Sequence, residues 1–197
     1  HTRLQGDWSS DVCSSDLGSD GDLRRGLTRS FVDFGNGVIK DRRTGLFWEK
    51  KSDDGSIHDQ DNTYTWSKDG FALMDGTMVS TFLAALNTPP CFGASAGNPA
   101  GFCDWRIPNL EELESIRNIG ASVPSTFPFF DTACTPGCTV TTCSCTRSAF
   151  GGSYWTSSSV QATPGLAWYV NFAGGDVAFD SKTNVAYVRA VRGRSEE

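Results

Sequence analysis

DWRIPNLEELESI, residues 104–116, is the stretch from which the architecture of this chain can be read outward. Asn109 stands immediately before an apolar run, and its side chain is of the type that accepts hydrogen bonds from the amides of a helix's first turn. Glu112, three residues on, is placed to reach back to the Asn109 amide and complete a capping box. Leu110, Leu113 and Ile116 then share one face at helical spacing and are expected in the core. The stretch predicts a short helix starting at Asn109 and entered through a buried Trp105. None of its residues reads as a catalytic group.

C-terminal to this helix, from Ser153, the chain reads as antiparallel sheet. Residues 154–158 form one strand, and 166–172 and 176–180 form a hairpin about Gly174-Gly175, closed by a last strand over 185–192. In LAWYVNF, 166–172, period-two alternation sets Trp168, Val170 and Phe172 on the core face and Tyr169 and Asn171 on the other. Asp176, Ala178 and Asp180 continue that second face, which is expected to meet solvent or a ligand.

On the N-terminal side, Gly35-Asn36-Gly37 and Arg43-Thr44-Gly45 supply turns, so 38–40 and 46–49 read as a hairpin with Trp48 inward. Residues 50–63 are a charged loop holding His58, and Tyr64-Thr65-Trp66 is a short anchoring segment. Met78, Phe82, Leu83 and Leu86 form an apolar stripe at helical spacing, capped by Asp75 or Thr77 and ended at Asn87-Thr88-Pro89-Pro90. There is no internal repeat and no coiled-coil heptad.

The two ends have a different character. Residues 1–17, HTRLQGDWSSDVCSSDL, back-translate to an indexed short-read sequencing adapter, and Arg194-Ser195-Glu196-Glu197 back-translate to the reverse complement of the same adapter's end. Such scars are set aside from fold reasoning. The authentic segment is then 18–193, read as a translated metagenomic fragment with 18–30 a polar linker and 31–193 one domain. A missing signal peptide carries no information in such a fragment.

Without those ends, the 17 basic and 23 acidic residues lose Arg3, Arg194, Asp7, Asp11, Asp16, Glu196 and Glu197, leaving 15 and 18 and a net charge of −3. About 176 residues suffice for one domain that buries roughly 70% of its unfolded surface. No apolar run approaches the ~20 residues of a membrane span. Nucleic acid is not an expected partner, because phosphate binding needs clustered Lys and Arg. Here Arg24-Arg25, Arg42-Arg43 and Lys50-Lys51 are isolated pairs flanked by acids.

Setting Cys13 aside leaves six cysteines: Cys91, Cys103, Cys134, Cys138, Cys143 and Cys145. An even set in Thr/Gly/Pro-rich loop sequence reads as disulfides and an oxidising compartment. Cys143 and Cys145 are too close in sequence to bridge without strain. Cys91 with Cys103 is expected to close the loop before DWRIPN. The other four pair either as 134–145 with 138–143 or as 134–143 with 138–145. A four-thiolate zinc site is the rival, but C-x3-C-x4-C-x-C lacks paired C-x2-C knuckles.

TGLFW (44–48), DWRIPN with ELESI (104–116), YWTSSS (154–159), AWYVNF (167–172) and terminal YVRAVR (187–192), in that order, resemble the C-terminal domain family of the Legionella collagen-like adhesin. The resemblance spans about 31–192. It implies an α+β, C-type-lectin-like fold, related to formylglycine-generating sulfatase modifiers and Fibrobacter paralogous domains, with two helices on a twisted antiparallel sheet and long disulfide-pinned loops. It also implies a secreted or surface location and, in the adhesin itself, binding of sulfated polysaccharide. Two residues depart from the pattern: Ala190 stands where the final motif usually has Cys, and the net acidity offers no sulfate-binding patch.

The expected function is a non-catalytic extracellular binding module for polysaccharide or surface glycan. Tyr169, Asn171, Asp176, Asp180 and Lys182 are the candidate ligand contacts, since aromatic and amide side chains stack on sugar rings and hold hydroxyls. The alternative is a structural or protein-interaction domain without glycan affinity, and the third reading is a formylglycine-generating type of enzyme using Cys143 and Cys145. His58, the one histidine of the authentic segment, reads as a solvated loop residue. Arg106, Arg189 and Arg192 are expected to make structural hydrogen bonds and ion pairs around Trp105. No cofactor or metal is expected. The loop DDGSIHDQDN, 53–62, is rich in the oxygen ligands calcium needs but lacks D-x-D-x-D-G spacing and a terminal Glu. IPN at 107–109 lacks the Glu of the calcium-lectin EPN tripeptide.

Overall fold

The computed structural model describes residues 29–71, 73–94, 101–121, 123–148 and 151–193. The adapter-like ends, Cys13 and residues 18–28 of the expected linker lie outside the described residues. The last two linker residues are tied down. Arg29 pairs with the buried Asp41 at 3.5 Å, and the Ser30 carbonyl accepts the Arg42 amide.

Three antiparallel sheets are built from nine short strands. The N-terminal sheet runs β1 (Phe31–Asp33), β2 (Val38–Asp41), β3 (Phe47–Glu49) and β9 (Val191–Arg192), with Ile39 opposite Trp48 and Trp48 opposite Val191. Gly35 and Gly37 make the first reversal possible, because both have positive φ, 71° and 90°. A small sheet pairs β4 (Tyr64–Thr65) with β8 (Val185–Ala186). The third runs β5 (Ser153–Ser159), β6 (Leu166–Asn171), β7 (Asp176–Ser181), leaving β7 as an edge.

The expected closing strand over 185–192 is therefore divided. Its start pairs with β4, Tyr187 bridges Tyr154 in parallel, and its end joins β3. This segment stitches all three sheets together instead of extending one hairpin.

The two helical segments sit in different cores. α1 is wound as a π-helix over Met78–Leu83 and continues as α-helix over Ala84–Leu86, burying Met78, Phe82, Leu83 and Leu86 with Trp66, Trp105, Trp155 and Val188. Thr77 occupies its N-cap position, as one of the two expected caps, but neither its side chain nor that of Asp75 bonds the first-turn amides. The Asp75 carboxylate holds the Lys68 amide and the Ser67 hydroxyl, and Thr77 exchanges hydrogen bonds with Thr65 of β4. Gly76 permits this crossing, since a Cβ there would run into the Thr65 carbonyl oxygen. α2, Leu110–Glu114, is capped as the sequence predicts: the Glu112 amide donates to Asn109 Oδ1 at 2.8 Å and the Asn109 amide to Glu112 Oε2 at 2.9 Å. It packs Leu113 and Ile116 into the second core with Trp48, Phe130, Tyr154, Val170 and Phe172.

The β5–β6–β7 sheet thus has one core on each face. Tyr154, Val170 and Phe172 belong to the α2 side, while Trp155 and Ala167 belong to the α1 side. Reciprocal bonds lock the sheet to β4: the Trp155 indole donates to the Tyr64 carbonyl at 3.0 Å, and the Trp66 indole to the Thr156 carbonyl at 2.8 Å. The architecture is α+β with mostly antiparallel sheets, few helices and three disulfides.

Candidate functional site

The hairpin β6–β7 positions the residues singled out from its alternation. Tyr169 lies opposite Trp155 on one side and Ala178 on the other, and Asp180 lies opposite Ala167, so Tyr169 and Asp180 share a face. With Thr63, Ser153, Trp155 and Tyr187 they wall a cleft of about 340 Å³. Tyr169 is not freely exposed: it packs against the α1-side core and meets the Trp155 ring edge-on at 6.2 Å. Its hydroxyl, and that of Tyr187, make no hydrogen bond among the described residues. Asp180 Oδ1 accepts from the Ser181 amide at 2.7 Å and the Asn184 side-chain amide at 2.9 Å, which fixes the carboxylate at the cleft's rim.

The other three predicted contacts are not brought into the cleft. Asn171 ends β6 and caps the turn that follows, its Oδ1 accepting from the Ala173 and Gly174 amides. Asp176 is exposed at the far end of β7. Lys182, expected on the surface, is 0% exposed; its Nζ lies 3.9 Å from the centroid of the Trp66 ring, and burial pushes its amine pKa down. The reason is the second core: the face that alternation assigns to solvent is covered by β4 and α1, and Lys182 lies just beyond the end of the strand. Conversely Trp155 and Tyr187 enter the cleft although their motifs read as scaffold, and Thr63 and Ser153 enter it from outside the motifs. No spacing in the sequence marks Tyr187, which is brought there where the chain leaves β8 and bridges Tyr154.

Trp168 is a second departure. Expected in the core, it is half-buried at the end of the α2-side face, its ring perpendicular to the 51% exposed Phe179 at 5.3 Å. It lines an open groove of about 410 Å³ with Asn109, Leu110, Glu111, Ser158 and Ser159. Among the described residues that line it, the one charge is the Glu111 carboxylate.

The loop read as solvated is anchored. His58 Nδ1 lies 2.8 Å from Glu49 Oε1, and its ring packs tilted against Phe92, with centroids 4.1 Å apart. Glu49 is fully buried, and it also meets Lys51 Nζ at 3.3 Å and the Ala190 amide at 2.9 Å. Burial alone would raise its pKa, but Lys51, His58 and the Ala190 amide outweigh that and hold it below the usual carboxylate range. Burial pushes the Lys51 amine down, with Arg189 adding to the effect. Asp53, Asp59 and Asp61 gather in the same loop. Two of them are engaged: Asp59 accepts from the Gly55 and Asp61 amides, and Asp61 pairs with Arg147 at 2.9 Å.

The arginines act structurally, at separate places. Arg106 forks onto Glu112 at 2.7 and 2.6 Å, and Arg192 onto Asp104 at 2.6 and 3.1 Å, Arg106 and Asp104 being the chain neighbours of Trp105. Arg189 is away from Trp105, buried under Phe130, where it donates to the carbonyls of Glu49 and Cys145 and to the Thr146 hydroxyl.

All six cysteines from 91 to 145 are bridged: Cys91–Cys103, Cys134–Cys145 and Cys138–Cys143. This selects the first of the two pairings left open by the sequence. The acidic loop docks on the cluster, with the Asp53 amide donating to the Cys138 carbonyl at 3.0 Å and the Gly137 amide to the Asp53 carbonyl at 2.6 Å. No helix among the described residues is long and apolar enough to cross a membrane.

Comparison with curated proteins finds no match. The family model of the Lcl C-terminal domain matches residues 37–192, from the turn before β2 to the end of β9. The chain belongs to the Lcl C-terminal domain family.

Proposed function

We propose that this domain is a non-catalytic, C-type-lectin-like binding module of an extracellular bacterial protein, and that its ligand is a glycan held in the Tyr169–Asp180 cleft. The observation that carries this reading is the composition of the cleft. Aromatic walls from the partly exposed Tyr169 and Tyr187, with the buried Trp155 behind the cleft's lining, are combined with hydroxyls of Thr63 and Ser153 and a fixed carboxylate. Apolar ring faces with a few oriented polar groups are what a saccharide offers and what a small-molecule site supplies. Membership of an adhesin-derived family and three disulfides support an extracellular setting.

The enzyme reading has less support. Cys143 and Cys145 are each committed to a different disulfide partner, and the amine beside the His58–Glu49 pair, that of Lys51, is buried and ion-paired. A protein-binding role is favoured by one observation, the exposure of Phe71 at 72% and Leu73 at 73% on the loop before α1. Binding of the full chain to a panel of neutral, acidic and amine-bearing polysaccharides tests the choice. Saturable binding at micromolar protein is expected; no binding across the panel overturns the glycan reading.

A further inference from the structure

We infer that the Tyr169–Asp180 cleft selects saccharides that carry a free amine, with the Asp180 carboxylate receiving the ammonium group. This rests on the glycan reading above and names the class of sugar. The first ground is charge. Among the described residues that wall the cleft, Asp180 is the one carboxylate, and no Lys, Arg or His stands there to offset it. Asp180 makes no ion pair among the described residues, and its Oδ2 accepts no hydrogen bond among them. The nearest lysine in sequence, Lys182, is turned into the core over Trp66. Along the same face of β7, which is an open sheet edge, the next ionisable group is a second carboxylate, Asp176. An anionic chain would meet uncompensated like charge there.

The second ground is hydrogen-bonding capacity. The hydroxyls of Tyr169, Tyr187, Thr63 and Ser153 both donate and accept, so they can satisfy the hydroxyls of a sugar. A carboxylate only accepts, and its best complement is a group that only donates. Oδ1 already takes two neutral donors, which leaves Oδ2 as the oriented free acceptor. An ammonium provides both the donors and the charge; an N-acetylated sugar provides neither the charge nor three donors.

The test is titration of the full chain with a glucosamine oligomer bearing free amines, its N-acetylated counterpart and heparin. The amine oligomer is expected to bind about tenfold or more tightly than the acetylated one, the size of one charge-assisted hydrogen bond. Its binding should weaken with added salt, and heparin should not bind. Asp180→Asn should abolish the preference for the amine. Glu111→Gln removes the same charge from the Trp168 groove and should leave the preference intact, which separates a site from general attraction to an acidic protein. Equal binding of acetylated and free-amine oligomers, binding of heparin, or equal loss in both variants overturns this inference. If any other member of the panel binds, the glycan reading survives that result; if nothing binds, both fall.

Discussion

The two hairpins of this domain, β2–β3 and β6–β7, are built from similar material and put it to different use. β2–β3 lies inside its sheet, between β1 and β9, and its buried carboxylates are consumed: Asp41 meets Arg29, and Glu49 meets Lys51, His58 and a backbone amide. β6–β7 ends in a free edge, and its carboxylates, Asp176 and Asp180, have no cationic partner among the described residues. Buried charge left unpaired is costly, so a core hairpin must satisfy every ion it carries. An edge hairpin is free to present one. The difference separates groups that hold the fold from groups available to a ligand.

The sharpest way to break that contrast is at Glu49. Glu49→Ala strands the Lys51 ammonium in the core and frees His58, and the loss expected is about 3–5 kcal/mol, the cost of removing one partner of a buried pair. Denaturant unfolding of the variant against the parent chain measures it. The same group gives stability an acid limb. Glu49 and Glu112 have folded pKa values below their unfolded ones, so the folded chain binds fewer protons. Their stabilisation is complete above the usual carboxylate pKa of about 4.3 and is lost as pH falls through the lower folded values. Asp131, raised by burial, has the opposite sign: its contribution is present at low pH and lost as pH rises through its folded value. Melting temperatures across the acid range should fall with pH, and less steeply in Glu49→Ala. A pH-independent profile would show that the Glu49 network does not govern stability.

Next in size is the cysteine cluster that braces the loop over β3. Replacing Cys134 and Cys145 by Ser opens a bridge of sequence separation 11 and is expected to cost about 2–4 kcal/mol. Thiol titration of the unreduced, denatured chain should find the three bridges intact, with Cys13 as the remaining thiol. Smaller again is Asn109→Ala, which removes the α2 cap and should cost about 1 kcal/mol. Urea midpoints compared with that of Glu49→Ala would rank the three.

What was legible in the sequence follows the range of each interaction. The Asn109–Glu112 box spans three residues and is fully local, as is the Gly35 reversal, and both are found where the pattern places them. The register of β6 against β7 also follows from its two-glycine turn. Alternation then failed at Lys182, because a period-two pattern reports one buried face and this sheet has a core on each side, and at Trp168, which has the predicted face but lies at its open end. The cleft was half legible: Tyr169 and Asp180 were on the predicted face, but Tyr187 arrives from β8's departure to β4, a non-local event no spacing encodes. The anchoring of His58 depends likewise on a buried Glu49 nine residues away, where composition suggested only a polar loop.

The smallest expected effect tests the other half of the contrast. Asp176→Asn and Asp180→Asn, alone or together, should change stability by no more than about 0.5 kcal/mol, as surface substitutions away from special features do. Asn keeps an oxygen to accept from the Ser181 amide and from Asn184, so the rim of the cleft holds its shape while the charge is removed. If the double variant unfolds at the parent's denaturant midpoint, the carboxylates of β7 are free of the fold in the sense that Glu49 is not. If it is destabilised on the scale of Glu49→Ala, the edge hairpin is held by charges too, and the division between structural and available groups fails at the cleft itself.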